Sequence, residues 1–335
     1  MTRTHTPLLA LTMGDPAGCG PAITAAAWEK LQADPALTFY VIGAPALYAA
    51  RVPVRKIASP AESRDIFPDA LPVLALADVP DVQPGQPDAD AAPAIIRSIA
   101  LATSHALEGM ADGIVTNPIN KALLYSAGFS YPGHTEYVAH LCTNPNEPAP
   151  QPVMMLVGGG LRVALATIHI PLMKVGKALT VSGLVELGQI VNRALKQDFG
   201  LDAPRIAFSG LNPHAGEEGT IGAEEQAIIN PAAHALRLSG VDMSDARPGD
   251  TVFAEALSGA YDAVIAMTHD QGLIPVKTLD FWGGVNVTLG LPVVRTSPDH
   301  GTAYDAAAAG TTRADSLIAA LRLAASMTLA RTNAA

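Results

Sequence analysis

The sequence predicts an α/β protein with a largely parallel central sheet, divided into two domains. Short apolar runs of strand type alternate with helical patterns along the chain, the signature of βα units laid side by side. The 335 residues exceed what one hydrophobic core usually serves. Apolar residues at 49% and charged residues at 16% describe a compact chain rather than a disordered one.

Taken in order, residues 8–13 form the first apolar run. They lead through Gly14-Asp15-Pro16-Ala17-Gly18-Cys19-Gly20-Pro21 into a helix over 22–31, with Pro21 suited to its first turn. Strand, glycine-rich loop and helix can hold a phosphate. The spacing, however, matches neither the dinucleotide nor the Walker fingerprint, and a tight βα turn fits equally well. Strands are expected at 39–42, 73–77 and 113–116, with a surface loop at 78–90 and an Ala-rich helix over 91–108. After Asn117-Pro118-Ile119-Asn120-Lys121 a helix runs to about 127, and residues 129–133 read as a linker. A helix then starts at His134-Thr135-Glu136. Thr135 as its N-cap would leave amide groups facing an anion, although an ordinary cap beside a surface histidine accounts for it too. A strand pair is expected over 153–168 and an amphipathic helix over 179–195. A strand at 205–209, a helix at 223–238, a strand at 263–267 and a C-terminal helix at 315–330 complete the pattern.

Composition narrows the function. A net charge of −10 and 5% aromatic residues argue against a nucleic-acid surface, which needs clustered cations and stacking platforms. Cys19 and Cys142 stand far apart and read as reduced thiols. No run reaches the roughly 18 apolar residues of a membrane span, and residues 153–168 are broken by three glycines and Arg162. With no leader pattern either, a soluble cytoplasmic protein is expected.

Chemistry concentrates in residues 262–305. His169, His214 and His269 each end or closely follow an apolar strand, where α/β sheets bind ligands, and neutral imidazoles suit a divalent metal. His5, His105, His140 and His234 lack that context and read as surface residues. Gly272 lets the chain turn away after His269. Lys277, Asn286 and Arg295 offer a point charge, an amide and a planar fork to a small anion. Asp250 reads as a helix cap or a catalytic carboxylate. His300-Gly301-Thr302-Ala303-Tyr304-Asp305 is a tight turn closing on a carboxylate. No GxSxG elbow and no HExxH helix is present.

The segments TMGDPAGCGP, VTNPINK, GHTEY, ATIHIPL, GLNPHAGE, GDTVF, MTHDQGLIPVK and GVNVTLGLPVVRTSPDHGTAYD run through almost the whole chain. In order and spacing they resemble the 4-hydroxythreonine-4-phosphate dehydrogenase family. HGTAYD is also similar to the adenosine-binding turn of isocitrate and isopropylmalate dehydrogenases, which bind NAD(P) without the Rossmann fingerprint. Only the Pro- and Asp-rich stretch at 51–93 is shorter than the resemblance leads one to expect.

The resemblance implies an isocitrate/isopropylmalate dehydrogenase-like two-domain fold, not a Rossmann fold. Residues 1–130 with 304–335 would form the first domain, and 131–303 the second, carrying the metal ligands and dimer interface. It implies a homodimer whose active site lies at the subunit interface, where His169, His214 and His269 bind one divalent cation (Zn, Mg or Co) with ligands from both subunits. It further implies that His134, Thr135, Lys277, Asn286 and Arg295 bind a phosphorylated substrate, that His300, Gly301, Thr302 and Asp305 hold NAD or NADP, and that Lys277 or Asp250 moves protons. The reaction implied is oxidation of 4-phosphohydroxy-L-threonine with loss of CO2, serving pyridoxal 5'-phosphate synthesis. Threonate or erythronate 4-phosphate and aromatic cis-dihydrodiol carboxylates are alternative substrates. A non-redox binding or acyl-transfer protein on the same fold is a further alternative.

Overall fold

The computed structural model describes residues 6–334. The strands are β1 (Leu8–Thr12), β2 (Thr38–Gly43), β3 (Val54–Ile57), β4 (Leu71–Ala75), β5 (Gly113–Val115), β6 (Val153–Gly158), β7 (Leu161–Leu165), β8 (Arg205–Phe208), β9 (Asp242–Met243), β10 (Ala263–Ala266), β11 (Val285–Leu289) and β12 (Val294–Pro298). The helices used below are α1 (Gly20–Leu31), α2 (Ala92–Leu107), α3 (Lys121–Ser126), α4 (His134–Leu141), α5 (Val181–Gln197), α6 (Asn230–Leu238), α7 (Val252–Leu257), α8 (His269–Leu279), α9 (Tyr304–Ala309) and α10 (Asp315–Ala334). The α/β class and the parallel sheet are as the sequence predicts.

The chain divides into two compact units, one reaching to Pro152 and including Leu291–Asn333, the other spanning Val153–Gly290. In the first, β3-β4-β2-β1-β5-β12 lie in that order and all pair in parallel. Continuous burial of β1 and β2 is what a sheet covered on both faces demands. α2 packs on β1, β2 and β5 through Ile95 and Ile99, both at 0% exposure. α10 is tied to β12, where Thr296 Oγ1 donates to Ala320 O at 2.9 Å. In the second unit the order is β11-β6-β7-β10-β8-β9. β6 pairs antiparallel with both β11 and β7, whereas β10 is parallel to β7 and to β8, and β9 is parallel to β8. α5, N-capped by Thr180 Oγ1 receiving Gly183 N–H at 3.1 Å, packs its apolar face on α6 and β6.

The dividing points lie further along the chain than the expected 130/131 and short of the expected 303/304, for reasons of packing. Residues 129–133 are not a free linker. Phe129 is buried and stacks edge-on against Tyr137 with ring centroids 5.1 Å apart. α4 packs against α2, so both belong to the first unit. β12 pairs with β5 and brings residues 294–298 into that unit as well.

Other local expectations are corrected. Gly272 makes no turn but lies inside α8, where a Cβ would come within 2.5 Å of Leu165 Cδ2 and 3.0 Å of Val163 Cγ1. It is the contact that lets α8 lie close on β7. The helix expected over 223–238 opens with a π turn, Glu225–Ile229, before α6. His105 is buried, with Nδ1 2.8 Å from Tyr40 Oη, and is a core residue; His140 and His234 are exposed, while His5 lies outside the described residues. Cys19 and Cys142 are free, buried thiols, each pushed up to about 11 by burial. No helix among the described residues is long and apolar enough to cross a membrane.

Candidate active site

In the second unit the sheet order places β10 between β7 and β8, all three parallel. Their carboxyl ends therefore open on one edge, the position where α/β sheets bind ligands. His169 follows β7, His214 follows β8, and His269 begins α8 directly after β10. Thr268 caps α8, its Oγ1 receiving Gln271 N–H at 3.3 Å, and so fixes the rotation at which His269 leaves the helix. Thr167 Oγ1 donates to Met267 O at 2.7 Å and ties the β7 loop to the β10 loop. The His169 and His269 rings stand 5.4 Å apart by centroid, and Asp270 Oδ1 lies 2.8 Å from His269 Nδ1. A carboxylate at that nitrogen selects the tautomer that leaves Nε2 for a ligand.

His214 is exposed and lines a cavity of about 290 Å³ with Asn212, Asp250 and Gln271. Gln271, which sequence reasoning missed, bridges the two loops: its Nε2 donates to Gly210 O at 2.7 Å and its Oε1 accepts from Met267 N at 2.8 Å. The pattern THDQG contained that signal. Asp250 does not cap α7, whose N-cap is Thr251, and its carboxylate belongs to the cavity wall. The donor chemistry fits a divalent cation, although among the described residues no single set of three His, Cys, Asp or Glu side chains gathers as ligands. Within the chain, His169 and His269 are the pair brought together.

Lys277 and Asn286 lie elsewhere in this unit. Lys277 is two turns along α8 from His269, roughly 12 Å by helical rise, with Nζ 5.4 Å over the Phe281 ring. Asn286 pairs with Leu156 in β11 against β6, and its buried Oδ1 lacks a hydrogen-bond partner among the described residues.

The first unit brings a buried cation, a neutral imidazole and a helix start together. Arg295 on β12 is 2% exposed and donates from its Nη2 to Thr116 Oγ1 at 2.6 Å. Burial brings the guanidinium down to about 10, with Glu136 opposing the shift, so it is charged at neutral pH. α4 begins at His134 after an extended Gly133 and has no side-chain cap, so Thr135 sits in the first turn and is not the cap. A Cβ on Gly133 would lie 3.1 Å from Lys121 Nζ and 3.2 Å from Glu136 Oε2, so both side chains close over this glycine. Lys121, Glu136 and Thr116 were not anticipated; VTNPINK carried the first and last.

His134 Nε2 is buried and without a partner among the described residues. Burial, then the charges of Arg295 and Lys121, hold His134 well below its ordinary 6.5, so the ring is neutral at pH 7. A base whose folded value is depressed binds fewer protons folded than unfolded, so its contribution is present above about 6.5 and is lost on acidification. Unfolding measured between pH 7.5 and 5 should show stability falling with pH. His134→Gln should flatten that slope by at most about 1.4 kcal/mol per pH unit, the value for one proton. Parallel curves for the two proteins would contradict a neutral His134.

The turn expected to hold the dinucleotide rests on the glycine-rich loop. Cys19 N–H donates to Thr302 O at 2.8 Å, and Tyr304 Oη donates to the buried Asp15 carboxylate at 2.5 Å. A Cβ on Gly18 would lie 2.9 Å from Thr302 O. The amides of Asp15, Ala17, Gly18 and Cys19 are all bonded within the chain, so residues 14–21 form a buried βα turn rather than a phosphate cradle. His300 Nδ1 lies 2.9 Å from Gly301 O, while Gly301 and Asp305 are exposed and Thr302 is half-buried. Ala303 takes a left-handed φ of 46° to start α9.

Strand-end histidines, a buried arginine beside a neutral histidine and an exposed glycine-containing turn set out an α/β protein with polar chemistry gathered at strand and helix ends. The profile described as pyridoxal phosphate biosynthetic protein PdxA matches residues 34–324. The chain is 50% identical over 330 residues to a 4-hydroxythreonine-4-phosphate dehydrogenase of Caulobacter vibrioides, covering 96% of this chain and 98% of the relative. The crystal structure of the Klebsiella pneumoniae 4-hydroxythreonine-4-phosphate dehydrogenase superposes with a TM-score of 0.84 at 39% identity, covering 97% of this chain and 99% of that one. A terephthalate 1,2-cis-dihydrodiol dehydrogenase from Burkholderia xenovorans LB400 matches with a TM-score of 0.65 at 27% identity, covering 96% of this chain and 98% of that one. The chain belongs to the PdxA family and is a dehydrogenase of that type.

Proposed function

We propose that the chain oxidises 4-phosphohydroxy-L-threonine with NAD or NADP to 2-amino-3-oxo-4-phosphooxybutanoate, which loses CO2 to give 3-amino-2-oxopropyl phosphate for pyridoxal 5'-phosphate synthesis. The observation that carries this reading is the placement of His169, His214 and His269 at the ends of adjacent parallel strands, in a family whose relatives bear that substrate in their name.

Arg295, His134, Thr135, Lys277 and Asn286 bind the substrate's phosphate and its other polar groups. Arg295 supplies a fork for two oxygens, and neutral His134 adds Nε2 without bringing further charge beside Arg295 and Lys121. His169, His214 and His269 hold one divalent cation, Zn, Mg or Co, which when bound acts as a Lewis acid favouring loss of the hydroxyl proton. Asp250, in the cavity with His214, accepts that proton. His300, Gly301, Thr302 and Asp305 would hold the dinucleotide, which when bound would supply the hydride acceptor. When the carbon–carbon bond to CO2 breaks, its electron pair stays on the product and Lys277 returns a proton to carbon.

A homodimer with ligands and substrate contacts drawn from both subunits fits the exposed apolar side chains of the second unit. Leu172 is 73% exposed, Met173 91% and Phe281 62%, more than scattered surface residues need. We place the enzyme in the cytoplasm.

Comparison of kcat/KM for 4-phosphohydroxy-L-threonine, threonate 4-phosphate, erythronate 4-phosphate and a cis-dihydrodiol carboxylate tests the assignment. The hydroxythreonine phosphate is expected to lead by at least about tenfold, roughly 1.4 kcal/mol of transition-state binding. Preference for the dihydrodiol would move the chain to the specificity of the Burkholderia xenovorans structure.

A further inference from the structure

His214 stands on a backbone that L-residues avoid. His214, Ala215, Gly216, Glu217 and Glu218 have successive φ values of 54°, 52°, 77°, 42° and 56°, a complete left-handed turn in which only one residue is glycine. Single residues adopt this conformation; runs of them persist only where surrounding contacts impose it.

Glu225 bonds to Asn212, which leads into that turn, and lies against Gly216 within it. It is 1% exposed, its Oε1 accepts Asn212 N–H at 2.7 Å, and its Oε2 accepts from Asn212 Nδ2 at 3.0 Å. Asn212 Nδ2 also donates to Glu224 Oε2 at 2.8 Å. A Cβ on Gly216 would lie 2.6 Å from Glu225 Oε2, and one on Gly210 3.3 Å from Glu225 Oε1 and 2.9 Å from Ala215 Cα. The carboxylate thus fills the space inside the turn and leaves room only for hydrogen at two of its walls. Glu225 is itself set by the π turn, in which Asn230 N–H donates to Glu225 O, a local irregularity of the kind found at functional sites.

We propose that Glu225, acting through Asn212, is the positioning residue that holds the left-handed turn and so presents His214 to a divalent cation. This rests on His214 being a metal ligand. A buried carboxylate serves here as the rigid support from which the ligand projects.

The test uses the full-length protein, with Zn2+ affinity from isothermal titration and protection of the amides of residues 212–219 from hydrogen exchange by mass spectrometry. Glu225→Ala should weaken Zn2+ binding by about tenfold to 100-fold and lower amide protection of the turn at least tenfold. Glu225→Gln, which keeps an acceptor for Asn212 N–H, should recover most of both. Asn212→Ala, a second route to the same support should Glu225→Ala fail to fold, should reproduce the loss. His214→Ala should remove Zn2+ binding while the turn stays protected. Zn2+ affinity within twofold of the parent in Glu225→Ala or Asn212→Ala, with binding lost in His214→Ala, would overturn the proposal and leave the ligand assignment standing. Undiminished Zn2+ affinity in His214→Ala would overturn the ligand assignment itself, and the positioning role with it.

Discussion

Arg295→Met is expected to cut kcat/KM for the phosphorylated substrate by between roughly 30-fold and several thousand-fold, the equivalent of about 2–5 kcal/mol for losing one side of a buried charged contact. The loss should fall mainly on KM, because a phosphate that does not react is held equally in ground and transition states. Stability should change little. Arg295 is 2% exposed, and its charge is maintained at the cost of desolvation that brings its pKa down to about 10. An apolar side chain of similar length removes that cost while forfeiting the bond to Thr116. Steady-state kinetics beside urea unfolding would separate the two effects. An unchanged KM would remove Arg295 from the substrate site.

His269→Ala should abolish turnover, by at least about a thousandfold, since several kcal/mol of Lewis-acid stabilisation leave with the metal. The fold should survive. His269 is the first residue of α8, where alanine is a good helix former, and Thr268 still caps the helix through Gln271 N–H. Elemental analysis of the variant should show less bound metal beside an unchanged circular dichroism spectrum. Parent-level turnover with normal metal content would contradict the strand-end reading.

How much of this was legible beforehand follows from the kind of signal each feature emits. The α/β class was legible because buried parallel strands such as β1 and β2 are unbroken apolar runs. β11 and β12 were not, because Asn286, Thr288, Arg295, Thr296 and Ser297 interrupt their apolar pattern, and Arg295 and Thr296 among them make side-chain hydrogen bonds inside the fold. β3 was hidden by Arg55 and Lys56, charges suited to an edge strand. α8 was hidden by Gly272 and Pro275, the former required by close packing on β7.

The three histidines could be chosen because each follows a strand. That their strands are neighbours depends on the order β7-β10-β8, which long-range pairing decides and local sequence does not encode. Neither Ala215 nor Glu217 favours the left-handed region, so only the tertiary contacts of Glu225 could reveal the turn beneath His214. Lys121 lay unread inside a loop motif until the packing of α4 brought it beside His134.

The most direct test is NAD(P)H formation by the purified protein with 4-phosphohydroxy-L-threonine, before chelation, after it, and after restoring Zn2+, Mg2+ or Co2+. Turnover that is lost on chelation and returns with a divalent metal is the predicted result. Undiminished turnover by a protein stripped of metal would contradict the role given to His169, His214 and His269.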